Sequence, residues 1–299
     1  MGAGFDDDLL QWLLEGDPAI RWRVLRGLTH ASANEVARER SRVATQGWGA
    51  RLLAAQNPEG GWGEGVYTPK WTSTTSSLLR LLWLGLPPGN PPALRGCERL
   101  WEWQARWRAP ETCIVSILIR LTSSNGYQAD GLDGMVEYLL DQQLDDGGWN
   151  CDTRTDKDKH SSIHTSIQAL EALDAYDSAG GQIDTSESQM RGREFFLAHK
   201  LYQSHRTGAV AIRGSTRFPA FPEWHFDVLR GLEHFVDSGA ERDERLRDAF
   251  EVVRAARKKD GRWPTYSAYP GRQWFQLEAP GASRWNTCRA LLVMRWWGE

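Results

Sequence analysis

Apolar residues recur along the chain at helical spacing, in short segments separated by polar loops. One set of segments, 48–53, 135–140 and 246–253, runs each time into a loop carrying glycine at 60, 147 or 261. Glycine just past an apolar-periodic run is a helix stop, because it adopts the left-handed conformation there without cost. A second set follows polar entries: Trp71-Thr-Ser-Thr before 78–84, Pro110-Glu-Thr-Cys before 114–121, Ile163-His-Thr-Ser before 167–173, Trp224-His-Phe-Asp before 228–235, and Trp285-Asn-Thr-Cys before 291–297. Asp17-Pro18 before 20–28 adds a sixth entry, with Asp as cap and Pro in the first turn. Sustained alternation of strand type is missing outside 210–221, so the pattern predicts an all-α chain of helix pairs.

The loops themselves repeat. Gln56-Asn-Pro-Glu-Gly-Gly-Trp62 and Gln143-Leu-Asp-Asp-Gly-Gly-Trp149 share the string Q-x-x-x-G-x-W, and Arg257-Lys-Lys-Asp-Gly-Arg-Trp263 keeps its glycine and tryptophan. Repeats that each supply one helix pair either stack into an open solenoid or close on themselves. The count suits closure: a single domain over 1–299, an (α/α)6-type toroid with one helix of each pair inside and its partner outside.

Composition changes this picture little. Hydrophobic residues make up 40% and charged residues 25%, enough apolar mass for a substantial core. A net charge of -3, with Lys and Arg scattered among Asp and Glu, leaves no electrostatic footprint for nucleic acid. The N-terminal segment carries three aspartates, Asp6 to Asp8, where a secretory signal needs positive charge, and no apolar run is long enough to cross a membrane. A cytoplasmic location is the expectation, with peripheral membrane contact left open. Cys97, Cys113, Cys151 and Cys288 are widely separated and read as reduced thiols. The 16 Trp residues outnumber both the 9 Phe and the 7 Tyr, so indoles are used repeatedly.

The Q-x-x-x-G-x-W copies resemble the QW repeats of squalene and hopene cyclases, in which Gln and Trp tie outer helices together. Protein prenyltransferases share that toroid. The strings around His160, Ser204, Trp224 and Ser283 are also similar to those of small bacterial squalene-cyclase-like proteins. The resemblance implies the fold and, with it, an isoprenoid-like ligand. The chemistry of the large cyclases does not come with it: neither D-x-D-D nor D-D-x-x-D occurs, because Asp145-Asp146 runs into Gly147-Gly148 and Asp6-Asp7-Asp8 precedes the first helix. Those cyclases also typically use two toroid-like domains, and this chain has room for about one.

Inner helices that start at the aligned entries converge on one mouth. One aligned position then holds Thr72, Glu111, His164, His225 and Asn286, next to Trp71, Trp224 and Trp285; two residues later come Thr74, Cys113, Ser166, Asp227 and Cys288. Such a polar and aromatic set suits a pocket at the end of a bundle. Ser, Thr, Asp and Asn at helix starts are equally ordinary caps, and Thr72 to Thr74, Ser161, Ser162 and Ser283 read that way. The chemical set is His164, His225 and Asp227, with Asp227 paired to His164 across helices as acid or base. Arg206, in an aperiodic segment running to Pro222, is placed to bind a carboxylate or phosphate. Trp62, Trp149 and Trp263 are repeat fasteners, while Trp71, Trp224 and Trp285 line the mouth.

The expected function is an enzyme or binding protein for a hydrophobic, isoprenoid-like small molecule in a central cavity, without a cofactor. Two alternatives stand beside it. One is a non-catalytic scaffold for a protein partner, marked by an exposed apolar patch. The other is a zinc-dependent transferase or hydrolase using Cys113, His164 or Cys288, with His160 excluded because Ser161 caps the helix.

Overall fold

The computed structural model describes residues 6–107, 111–151 and 160–299, so Pro110 lies outside the described residues. Its helices are α1 (Asp7–Leu14), α2 (Pro18–Leu28), α3 (Ala33–Ser41), α4 (Gly47–Leu53), α5 (Thr74–Leu84), α6 (Pro91–Gln104) and α7 (Thr112–Asn125). They continue with α8 (Leu132–Asp141), α9 (Ile163–Ser178), α10 (Ser186–Ala198), α11 (Val228–Asp237), α12 (Arg247–Ala255) and α13 (Arg284–Trp297). Among the described residues the only strands are β1 (Trp263–Pro264) and β2 (Ala282–Ser283), paired antiparallel. The fold is all-α, as the periodicity predicts. No described helix is long and apolar enough to cross a membrane.

Burial sorts the helices into two classes. Helices α5, α7, α9, α11 and α13 are buried along most of their length, whereas α3, α6, α8, α10 and α12 bury one side. The buried helices lie side by side: α5 on α7, α7 on α9, α11 on α13, and α13 on α2. Arg230 of α11 reaches Glu171 of α9, and the Trp22 indole of α2 donates to the Leu84 carbonyl of α5 at 3.0 Å. The more exposed helices bridge these neighbours: α6 packs on α5 and α7, α12 on α11 and α13, and α1 on α2 and α13. Buried hydroxyls do not spoil the packing, because Ser116 and Thr122 of α7 donate to carbonyls one turn back at 2.8 and 2.7 Å.

Each tryptophan repeat is built the same way. The indoles of Trp62, Trp149 and Trp263 donate to the carbonyls of Leu52, Leu139 and Val253, ten residues earlier, at 2.7, 2.8 and 2.7 Å. Their backbone N–H groups donate to the hydroxyls of Thr74, Ser166 and Thr287 at 3.0, 2.9 and 2.9 Å. One residue therefore joins the end of the helix before its loop, α4, α8 or α12, to the start of a buried one, α5, α9 or α13. The Gln56 amide donates to the Gly60 and Pro92 carbonyls, and Gln143 to Gly147 and Ser188, which ties each loop to the next outer helix. Arg257 replaces this amide in the third copy, donating to Gly261 at 3.1 Å.

Helix starts differ from the even alignment read from sequence. The caps are Ser73, Ser162, Asp227 and Ser283, with Glu111 at the same place on α7 but making no cap bond. His164 and Asn286 thus fall inside their helices, while Thr72 and His225 precede theirs. Ser162, not Ser161, caps α9, because Asp146 accepts both the Ser161 hydroxyl and its N–H. Local hydrogen bonding, not repeat position, chose each start.

Gly192 of α10 marks where an outer helix meets a repeat indole: a Cβ there would lie 2.7 Å from Leu170 and 2.9 Å from Trp149. Gly192→Ala is expected to lower stability by about 1–2 kcal/mol in urea denaturation, overpacking exceeding the gain in helix propensity. Gly134→Ala, where a Cβ meets open space in α8, should instead stabilise by about 0.5–1 kcal/mol.

Candidate functional site

Residues 218–225, which span the end of the predicted long loop at Pro222 and the predicted helix entry at Trp224, run between α5, α9, α11 and α13. Their backbone is buried, so its carbonyls need donors. Asn286 donates to the Phe218 carbonyl at 2.8 Å, Trp285 to Ala220 at 2.8 Å, and Arg289 to Pro219 at 3.5 Å. Arg230 donates to the His225 and Glu223 carbonyls at 2.6 and 3.4 Å, and Gln168 to Trp224 at 3.4 Å. Side chains of three buried helices thus hold one extended segment in place.

The segment separates two cavities. Phe221 and Glu223 line one of about 470 Å³, Pro222 lines another of about 660 Å³, and Ala220 borders both. The smaller cavity is walled by Phe221, Tyr266, Phe275, Leu277 and Pro280 and is covered by residues 265–281, the loop between β1 and β2. This strap is pinned to the start of α5. Arg272 and the segment before α5 exchange backbone bonds, Arg272 N–H to the Lys70 carbonyl at 3.0 Å and Trp71 N–H to the Arg272 carbonyl at 3.2 Å. The Trp71 indole donates to the Pro270 carbonyl at 3.0 Å and the Trp274 indole to the Ser77 hydroxyl at 2.9 Å.

Glu223 is the chemically distinctive group of this cavity. Its side chain is 3% exposed and pairs with Arg80, whose Nε donates to Oε1 at 3.1 Å. Oε2 has no hydrogen-bond partner among the described residues. Burial pushes the Glu223 carboxyl up to about 7 against the pull of Arg80. The backbone there has φ of 55°, a left-handed conformation that costs a residue with a Cβ roughly 1–2 kcal/mol. A neutral carboxyl against apolar walls can give up a proton near neutral pH, and Arg80 then holds the resulting carboxylate.

His164, His225, Trp71 and Trp224 are brought together beneath the strap. His225 is sandwiched between Tyr269 at 3.6 Å and Trp224 at 3.7 Å between ring centres, and it meets His164 edge-on at 5.8 Å. His164 Nδ1 accepts the Phe226 backbone N–H at 2.8 Å, which places the proton of the neutral ring on Nε2. Burial lowers both imidazoles to about 4, helped by the Arg230 charge beside His164 and by His164 itself beside His225. Both rings are neutral at pH 7. Asp227 is fully buried and capped onto the Arg230 N–H at 2.9 Å, and burial pushes it up to about 6. The predicted Asp227–His164 bond is not made: Asp227 Oδ1 and His164 Nδ1 each take a backbone N–H at the start of α11, and Asp227 Oδ2 is buried without a hydrogen-bond partner among the described residues.

The remaining candidates scatter. Asn286 lines the smaller cavity and Trp285 the larger, both while holding the 218–225 segment. Glu111 is exposed at the start of α7, and Arg206 is exposed on its loop, lining none of the described cavities. No group of three or more His, Cys, Asp and Glu among the described residues is arranged to hold a metal ion. Cys113 instead faces Cys151. The Cys113 thiol donates to Glu111 Oε2 at 3.9 Å, and the Cys151 sulfur contacts the Thr165 hydroxyl at 3.1 Å. The pairing of the two thiols brings Cys151 down to about 7 and pushes Cys113 up.

No family model matches the chain, and no curated protein matches it. Among solved structures, a protein from Actinoplanes is similar over 94% of this chain and 90% of its own, at 16% identity and a TM-score of 0.44.

Sequence reasoning missed Glu223, Arg80 and the arginines of the larger cavity. Glu223 lies in an aperiodic segment and gives no pattern. The arginines did leave a signal: Arg80, Arg120 and Arg230 each interrupt an apolar run of a helix, as in Leu78-Leu-Arg-Leu-Leu82. A cation inside such a run faces either a partner or a cavity.

Two measurements test these electrostatics. Glu223 ionises near 4.5 when unfolded and about 7 when folded, so its contribution to stability is full below pH 4.5 and is lost as pH rises through 7. Glu223→Gln should therefore remove on the order of 3 kcal/mol of pH dependence between those limits, read from urea midpoints. Iodoacetamide at pH 8 should alkylate Cys151 at least about tenfold faster than the buried Cys97 and Cys288, whose thiols burial pushes up to about 12, as read by peptide mass spectrometry.

Proposed function

We propose that the buried helices form a closed (α/α)6-type ring over 1–299, and that this chain binds and transforms a largely apolar, isoprenoid-like small molecule beneath the 265–281 strap. The observation that carries the reading is the unpartnered Glu223 Oε2 in a mostly apolar cavity of about 470 Å³. That size lies in the range of small-molecule sites. In this reading Glu223 hands its proton to an electron-rich atom of the ligand and the new carboxylate is held by Arg80. The aromatic wall of Tyr266, Phe221 and Phe275 stabilises the positive charge that develops on the ligand. His164, His225 and Trp224 line none of the described cavities and serve here to hold Tyr269 of the strap through the stack on His225, and Asp227 fixes the start of α11.

The packing of α13 on α2 and α1 supports ring closure, since the last helix meets the first. A scaffold with an apolar docking face finds less support: the large hydrophobic residues exposed among the described residues are Met190 and Val210, on separate elements.

Geraniol, farnesol and geranylgeraniol, added to the purified chain, are expected to quench tryptophan fluorescence saturably, with products followed by gas chromatography. Glu223→Gln should leave binding within about threefold and lower turnover by about 10²-fold or more. No saturable binding by any of the three, or unchanged turnover in Glu223→Gln, would overturn the assignment.

A further inference from the structure

The larger cavity, about 660 Å³, lies toward the C-terminal ends of α7, α9 and α11, where Gly126, Ser178 and Asp237 border it. Its wall is dominated by charge. Six arginines line it, Arg23, Arg26, Arg40, Arg120, Arg230 and Arg289, against four carboxylates, Glu171, Asp174, Glu233 and Asp237. The pairing is uneven. Arg120 and Arg230 share Glu171, each at 2.5 Å, and although burial pushes that carboxyl up, the two guanidiniums outweigh it and hold it at about 2. Arg289 takes Glu233 at 2.6 Å, and Arg26 takes Asp237 at 3.1 Å. Asp174 lies 3.1 Å from His234 Nδ1 and 4.0 Å from Arg193, and His234 Nε2 is buried without a hydrogen-bond partner among the described residues.

Arg23 and Arg40 are left without a carboxylate among the described residues. Arg23 donates to the Trp83 carbonyl and lies over the rings of Trp22 and Trp285, at 4.8 and 5.2 Å, while its Nε is buried and unpartnered. Arg40 donates to the Gly85 carbonyl at 2.8 Å and lies 5.2 Å from the centre of the same Trp22 ring. Burial pushes both guanidiniums down, at Arg23 against the opposing charges of Glu233 and Asp237 and at Arg40 with the help of Arg26. The carbonyls they meet belong to the C-terminal turn of α5, which offsets part of each charge, and neither guanidinium makes an ion pair with a carboxylate among the described residues.

We propose that this cavity is a binding site for a small dianion, carrying either a phosphate group or two carboxylates, with Arg23 and Arg40 as its principal contacts. The two surplus cations set the charge of the ligand. Guanidinium forks from different helices suit the planar spread of oxyanion acceptors, and charge-assisted bonds in a partly desolvated cavity are the strong kind. The indoles of Trp83 and Trp285 and the small side chains of Ala175, Ala179 and Ala220 leave an apolar wall for a short organic body attached to the anion. The site is separate from the Glu223 cavity, so its existence does not depend on the function proposed above.

Isothermal titration of the full chain with inorganic phosphate, pyrophosphate and succinate, at ionic strength held constant with sodium chloride, tests the site. Saturable one-to-one binding by at least one anion is expected, and the ranking of the phosphates against succinate tells which oxyanion the site takes. Arg23→Gln and Arg40→Gln should each weaken it about tenfold or more, whereas Arg51→Gln, outside the cavity, should not change it. Arg40 is only half-buried, so its variant keeps the test decisive should Arg23→Gln fold poorly. Absence of saturable heat with all three anions, or binding unchanged in folded Arg40→Gln and Arg23→Gln, would overturn the proposal.

Discussion

Extended backbone buried between helices is expensive, because every carbonyl that leaves water must be met by a donor and neighbouring helices have already spent their own N–H groups. The 218–225 segment imposes this demand at the centre of the chain. It is met by side chains whose length and charge would otherwise be out of place in a core: Asn286, Trp285 and Arg289 from α13, Arg230 from α11 and Gln168 from α9. Their carboxylate partners follow from them, since a buried guanidinium in turn needs Glu171 or Glu233. One buried strand of main chain thus explains much of the polar interior.

The same segment sorts the chemistry. Phe221 and Glu223 line the apolar cavity while Pro222 lines the arginine-lined one, the chain turning at Glu223, where φ is 55° and the His225 N–H donates to the Pro222 carbonyl at 2.8 Å. A buried acid is kept with apolar walls and a single arginine, and the excess of cations is kept on the other side. Mixing them would neutralise both, because an acid among six arginines would stay ionised and the cations would be matched.

How much of this was legible depended on whether periodicity or local hydrogen bonding decided the outcome. The all-α class and the tryptophan fasteners were legible, because apolar spacing and the Q-x-x-x-G-x-W strings report packing that recurs. Helix starts were not: Ser162 took the cap position because Asp146 occupied Ser161, a tertiary event with no local mark. The aromatic group of Trp71, His164, Trp224 and His225 was legible as residues that gather at helix starts, but its closeness to Tyr269 was not, since nothing in 265–281 predicts a strap. Glu223 was hidden by the aperiodicity of its surroundings. The arginines stood in plain view inside apolar runs and were passed over because a helical face was read for its hydrophobic members alone.

Ala220 is a wall of both cavities, and its own carbonyl and that of Pro219 before it are held by donors from a single helix, α13. A ligand that pushes this wall from one side reshapes the space on the other, and Trp285, which grips Ala220 and borders the larger cavity, moves with it. Two occupants separated by so thin a partition would be linked as far as each displaces it, and such linkage is reciprocal: whatever one does to the affinity for the other, the other returns in equal measure.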